Sequence, residues 1–233
     1  GSEMCIRDRN ITITRAAPYE NGKAFNNSGS YTEIDLTVEF EIDVEDYAHT
    51  VITDLPLSKD TDGIVRFSAD AKILTPKDST KSNRKLILDV PNRGRNLILK
   101  MLNNTPEVSA TSTGWGESNA FLFDQGYTLT WCGWQHDVPD TPGLLTIKGP
   151  QPHSHGSPIS GMITMTIQTN VLTRNHLLSE RGHTPLPTED LNCSSATLTV
   201  QDNESSLPET INREEWSFGK EVDGKFSPDP NYV

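Results

Sequence analysis

A serine held on a sharp turn between a strand and a helix is a common nucleophile for ester and amide carbonyls, and its motif is Gly-x-Ser-x-Gly. No serine in the 233 residues has this spacing. The nearest approach runs from Gly156 to Gly161, where the glycines are too far apart and Pro158 favours an ordinary turn. We therefore expect no catalytic residue within this chain.

Two histidines, His153 and His155, stand two residues apart in a segment rich in proline and glycine. A metal site needs three or four ligands, and no further histidine or cluster of carboxylates lies nearby in the sequence. The pattern favours a loop, so we expect neither a metal nor another cofactor. Cys132 lies in an apolar run and is expected to be a buried thiol.

The elements that would position a site are clearest between residues 84 and 138. The sequence predicts an apolar strand over 85–90, a turn over 91–95, helices over 96–103 and 117–125, and a second apolar strand over 127–134. The order strand, helix, strand is typical of a parallel sheet. The two strands should therefore end at the same edge.

Polar and aromatic side chains follow the second of these strands. Ligands of open parallel sheets bind beyond the carboxyl ends of the strands, which makes Trp134, Gln135 and Asp137 candidates for lining a pocket. The alternative is that Trp131 and Trp134 are a core pair followed by a polar turn. The sequence leaves both interpretations open.

Outside this segment the chain is rich in short strands. Apolar and polar residues alternate over 10–17, 30–44 and 64–74, which predicts an antiparallel sheet. The predicted fold class is therefore α/β with a large β-rich portion. We divide the chain into five segments. The opening 1–9 resembles a cloning or sequencing remnant, and it is followed by an antiparallel region 10–83 and an α/β core 84–138. A β-rich insertion or extension covers 139–217, with strands such as 159–168 and 196–200, and a loop-like tail over 218–233 suggests a truncated chain.

Three stretches carry a resemblance to a known family: LDVPNRGR at 88–95, AFLFDQGYTL at 120–129 and WCGWQHDV at 131–138. The Asn-Arg-Gly turn and the Gly-Trp-Gln-x-Asp ending are specific in combination. They resemble the bacterial "alpha/beta hydrolase domain" family, whose members are large and mostly uncharacterised. The resemblance covers most of residues 10–217 and is strongest at 84–138.

The resemblance implies a partial α/β-hydrolase sheet flanked by antiparallel strands, in a serine hydrolase acting on an ester or related acyl bond. Asn92, Arg93 and Gly94 would then lie in the oxyanion loop, whose backbone N–H stabilises negative charge on the attacked carbonyl oxygen. The simpler interpretation is a tight turn in which Gly94 supplies a positive φ. In the family the serine, acid and histidine come later, so this chain alone should be inactive and a small ester-like substrate would bind the longer protein.

Composition excludes some partners and leaves an alternative function. The net charge is −12, which argues against nucleic acid because phosphate binding needs clustered Lys and Arg, and no apolar run could span a membrane. Oligomeric state is not predicted, and a secreted or periplasmic location stays open because the natural amino terminus is not visible. The alternative function is a non-catalytic β-sandwich-like module that binds carbohydrate or protein, and it predicts that all strands pair antiparallel.

Overall fold

The computed structural model describes residues 7–104, 119–169, 171–179 and 183–233. Contacts within the chain divide it into two compact units, residues 1–159 and 160–233. The described part of the first unit has strands β1 (Arg7–Pro18), β2 (Ala24–Phe25), β3 (Gly29–Asp43), β4 (Ile64–Pro76), β5 (Leu86–Asp89), β6 (Thr128–Cys132), β7 (Ile147–Lys148), β8 (His153–Ser154) and β9 (Ser157–Pro158), with helices α1 (Ile98–Asn103) and α2 (Phe121–Asp124).

One mixed sheet organises the first unit. Its strand order is β1-β3-β4-β6-β5, with β2 added to β3 and β7 added to β4. All of these pairs are antiparallel except β5 with β6, which pair in parallel from Leu86 opposite Thr128 to Asp89 opposite Trp131. The predictions of a β-rich fold and of a parallel pair joined through helices are confirmed. The all-antiparallel fold expected of the alternative binding module is contradicted.

The predicted boundary at residue 84 does not separate two sheets. Strand β4 belongs to the antiparallel region, yet it pairs with β6 from Ala71 opposite Cys132 to Leu74 opposite Leu129. The long β4 strand leaves an edge that β6 occupies after the chain has passed through α1 and α2. Strand β1 begins at Arg7 and so includes residues that the sequence analysis had set aside as a remnant.

The core lies on the face of the sheet that α1 and α2 cover. The rings of Tyr19, Phe25 and Tyr31 surround Phe123 of α2 with centroids 4.8–5.1 Å away. Leu99 of α1 is fully buried in the same cluster. Burial of this apolar surface anchors both short helices, since helices of this length are not stable in isolation.

A charged network occupies the same face between β1, β3 and β4. Lys72, whose side chain is only 7% exposed, bonds Glu33 and lies 2.5 Å from Asp35, and Arg15 lies 2.9 Å from Glu33 and 3.0 Å from Asp35. Burial opposes ionisation of Asp35, but hydrogen bonds from Lys72 and Arg15 outweigh it and hold the pKa of Asp35 below its usual value. The two carboxylates and two cations therefore compensate one another.

The second unit contains two hairpins among its described residues: β10 (Leu198–Val200) with β11 (Glu209–Ile211), and β12 (Gly219–Val222) with β13 (Lys225–Pro228). The prediction of a loop-like tail over 218–233 is therefore wrong. Asp223 and Gly224 both have positive φ, 52° and 73°, which is the conformation of a two-residue hairpin turn. The prediction missed this because it counted Asp and Gly only as loop residues.

The segment 139–217 is less regular than predicted. Its strands are two or three residues long, and β7 joins the sheet of the first unit. The strand predicted over 159–168 is wrong, because these residues form no strand in the described structure. Ile159, Met162 and Ile163 are all exposed, so the alternating pattern there does not reflect a buried face.

Candidate functional site

The predicted site residues lie together at one edge of the sheet. Because β5 and β6 run in parallel, the turn after β5 and the segment after β6 leave the sheet side by side. This edge, the carboxyl rim, comprises residues 90–95 and 133–138. It contains all the candidates named from the sequence: Asn92, Arg93, Gly94, Trp134, Gln135 and Asp137.

The turn after β5 contains two consecutive residues with positive φ, a conformation that favours glycine. Arg93 and Gly94 have φ values of 52° and 73°, and the Arg95 N–H donates back to the Asn92 carbonyl oxygen over 3.3 Å. A Cβ added to Gly94 would lie 2.5 Å from the Leu145 carbonyl oxygen and 2.6 Å from the Leu145 nitrogen. The turn therefore packs directly against the backbone of Leu145.

Two side chains of the segment after β6 hold this turn. The Gln135 Oε1 accepts a hydrogen bond from the Arg93 N–H over 2.7 Å, and the Asp137 carboxylate pairs with the Arg93 guanidinium at 3.0 Å. The Gln135 carbonyl oxygen in turn accepts from the Ile147 N–H over 3.2 Å. These two contacts of Arg93, with Gln135 and with Asp137, hold the turn in position, and we call them the Arg93 clamp.

The two tryptophans have different environments. Trp131 is fully buried, and its Nε1–H donates to Asp89 Oδ2 over 2.8 Å. Trp134 is 54% exposed, and its Nε1–H donates to the Pro91 carbonyl oxygen over 2.7 Å. The two tryptophans therefore do not form a core pair, which was one of the two interpretations that the sequence left open. Trp131 is a core residue, whereas Trp134 presents its ring to solvent beside the turn.

Asp89 is a positioning residue that the sequence analysis did not single out. Its Oδ2 accepts from Trp131 Nε1–H and, over 3.0 Å, from the Ile98 N–H at the start of α1. One carboxylate thus joins β5, β6 and α1 below the turn. The sequence did contain a signal for this role of Asp89: it is a carboxylate at the last position of an apolar strand, on the same face as the half-buried Ile87.

The turn offers a backbone donor but little enclosure. The Arg93 N–H is occupied by Gln135, whereas no described residue accepts a hydrogen bond from the Gly94 N–H. Asn92, Trp134 and His136 are exposed. A groove of about 460 Å³ lies elsewhere on the sheet, lined by residues that include Arg9, Phe40, Arg66 and Lys148.

Several other features bear on what the chain can do. Cys132 and Cys193 are free thiols, and burial raises the pKa of Cys132. Among the described residues, no group of three or more His, Cys, Asp or Glu side chains is arranged to hold a metal ion. No helix in the described part of the chain has the length and hydropathy needed to cross a membrane.

Comparison with known proteins adds no identification. No family model matches the chain, and neither a curated protein nor a solved structure is significantly similar to it.

Replacing Gln135 with leucine is expected to accelerate amide hydrogen exchange at Arg93 about fivefold, because loss of one hydrogen bond is worth about 1 kcal/mol. Exchange monitored by NMR or mass spectrometry measures the effect. The matched variant Gln135→Glu keeps an Oε1 acceptor and should preserve the protection. Unchanged exchange at Arg93 in Gln135→Leu would show that Gln135 does not hold the turn.

Proposed function

We propose that this chain forms the first part of the catalytic domain of a serine hydrolase of the α/β-hydrolase type, acting on an ester or a related acyl bond. In this proposal the turn over 91–95 is the oxyanion loop. The proposal assigns the serine, acid and histidine to downstream sequence; the 233 residues of this chain contain no Gly-x-Ser-x-Gly motif.

The observation that carries the proposal is the parallel pairing of β5 with β6, which brings the turn to the rim where ligands of such sheets bind. If β3, β4, β5 and β6 are counted as strands one to four, their order across the sheet is 1-2-4-3, and strand two runs antiparallel to its neighbours. An α/β-hydrolase sheet begins in this order. The loop after its third strand supplies an oxyanion-hole amide, and β5 is in that place.

The donor assigned by the proposal is the Gly94 N–H. A backbone amide stabilises a developing oxyanion when it is fixed in advance and not already bonded. The Arg93 clamp fixes the turn and leaves the amide of Gly94 without an acceptor among the described residues. Loss of one such donor would raise the free energy of the transition state by about 3 kcal/mol.

A fluorophosphonate probe, which labels activated serines, tests the proposal. The 233-residue chain is expected to remain unlabelled and to leave p-nitrophenyl esters intact. A longer protein that includes the downstream coding sequence is expected to react with the probe and to hydrolyse these esters. Replacing the downstream motif serine with alanine should abolish both signals. Downstream sequence that lacks Gly-x-Ser-x-Gly followed by Asp or Glu and His would overturn the proposal.

A further inference from the structure

Trp134 lies at the carboxyl rim with its ring largely in solvent. It is 54% exposed, whereas Trp131 is fully buried. Further strands beside β5 would widen the sheet, and the ends of β5 and β6 would stay part of the same rim, where ligands of such sheets bind. The position of Trp134 is therefore that of a ligand-binding residue in the longer protein of the proposed function.

The ring of Trp134 is held in place by its own hydrogen bond and by its neighbours in the chain. Its Nε1–H donates to the Pro91 carbonyl oxygen over 2.7 Å. A Cβ added to Gly133 would lie 2.6 Å from backbone atoms of Thr146, and the Gln135 carbonyl oxygen accepts from the Thr146 hydroxyl over 3.0 Å. Since the ring is already ordered, it loses little conformational freedom when a ligand binds, which favours affinity.

The turn that holds this ring also contains the proposed oxyanion donor. Pro91 accepts the hydrogen bond of the indole, and the Gly94 N–H has no acceptor among the described residues. Pro91 and Gly94 are three residues apart, a length of chain that extends at most about 11 Å. The indole and the Gly94 amide are therefore within reach of one small ester.

A single exposed apolar side chain is common on protein surfaces and indicates no function by itself. Binding sites, however, combine aromatic surface with a few fixed polar groups, and the rim has both. We propose that Trp134 determines the specificity of this rim by selecting esters whose acyl or alcohol part carries a ring with an apolar face. This ring stacks on the indole while the carbonyl oxygen accepts from the Gly94 N–H. The inference rests on the proposed function.

Two kinds of ring have the required face. An aromatic ring stacks on the indole through its π system, and a sugar ring presents the apolar C–H bonds of one side. A sugar would also bond through its hydroxyl groups to polar side chains of the rim, such as the exposed Asn92 and His136. The shared chemistry is contact with Trp134, and the experiment separates the two rings.

Titration of the 233-residue chain with three acetate esters, followed by NMR, tests the inference. The esters are benzyl acetate, methyl 6-O-acetylglucoside and, as the acyclic control, butyl acetate. At least one ring-bearing ester should shift the Trp134 indole N–H and the Gly94 amide together, and should bind about fivefold more tightly than butyl acetate. The preferred ring assigns the substrate as an aryl or a sugar ester. Equal affinities for all three esters, or no shift at Trp134, would overturn the inference.

Two variants separate the ring of Trp134 from its hydrogen bond. Trp134→Ala should lower the affinity for the ring-bearing ester about fivefold. Trp134→Phe cannot donate to Pro91 but keeps an aromatic ring, and it should retain most of the preference. Equal losses in the two variants would show that Trp134 acts through Pro91 and that the inference is wrong. Circular dichroism and amide exchange at Arg93 establish that the turn is intact.

Hydrolysis by the longer protein distinguishes this inference from the proposed function. In Trp134→Ala the ratio of kcat/KM for the ring-bearing ester to that for butyl acetate should fall about fivefold, mainly through KM. Failure of the longer protein to react with the fluorophosphonate probe would overturn the proposed function. A labelled protein whose ratio is unchanged in Trp134→Ala would overturn only the inference about Trp134.

Discussion

Replacing Lys72 with methionine is expected to lower the free energy of unfolding by about 3 kcal/mol, since removing this buried cation leaves Glu33 and Asp35 to share Arg15, which compensates only one of the two charges. The Lys72 side chain is only 7% exposed and contacts both Glu33 and Asp35. Methionine retains the length and apolar stem of lysine, so the loss reports the charge. Urea unfolding followed by circular dichroism measures it.

Lys148→Met is the matched control for this prediction. Lys148 also pairs with a carboxylate of β4, Asp70 at 3.1 Å, but its side chain is 63% exposed. Exposed pairs contribute at most about 1 kcal/mol, so this variant should have nearly the stability of the original chain. Equal losses in the two variants would show that burial of Lys72 is not the reason for its contribution.

The same network predicts how the effect of Lys72→Met depends on pH. The folded-state pKa of Asp35 lies below its usual value, so its ionised form stabilises the fold at pH values above the unfolded pKa of about 4. This contribution is lost as the pH falls through the lower, folded-state pKa. The stability difference between the original chain and Lys72→Met should therefore shrink below about pH 4. A difference that stays constant into acid would contradict the assignment to Asp35.

The elements around the carboxyl rim could be predicted because their signals are local. Apolar runs marked β5 and β6, and α1 begins within two residues of the predicted start at Asn96. Once two strands are joined through a helix, their parallel pairing follows from the short path of the chain. The candidate residues therefore met at one edge as expected.

The contacts within the rim could not be predicted, because they depend on register. Nothing in the sequence says that the Gln135 side chain reaches the Arg93 amide, or that Asp89 lies opposite Trp131. The burial of Lys72 has the same origin. It sits opposite Asp35 only because β3 and β4 pair in one register, and a shift of one residue would move it to the other face.

Replacing Gly94 with alanine is expected to destabilise the first unit by about 3 kcal/mol, through two effects. The φ of 73° is unfavourable for a residue with a Cβ, and that Cβ would lie 2.5 Å from the Leu145 carbonyl oxygen, a backbone atom that cannot rotate away. To relieve this contact, the turn would have to move away from the backbone of Leu145, and this movement would disturb the Arg93 clamp. Urea unfolding gives the stability loss, and amide exchange at Arg93 and Leu145 reports the local displacement.

Gly63→Ala separates the two effects. Gly63 has a similar φ of 84°, but a Cβ there would meet nothing within 4 Å. Its substitution should therefore bring only the conformational cost of about 1 kcal/mol. The excess loss in Gly94→Ala then measures how closely the turn packs against Leu145. Equal losses at the two glycines would mean that this packing is loose, and the turn would lack the rigidity that a preorganised donor at Gly94 requires.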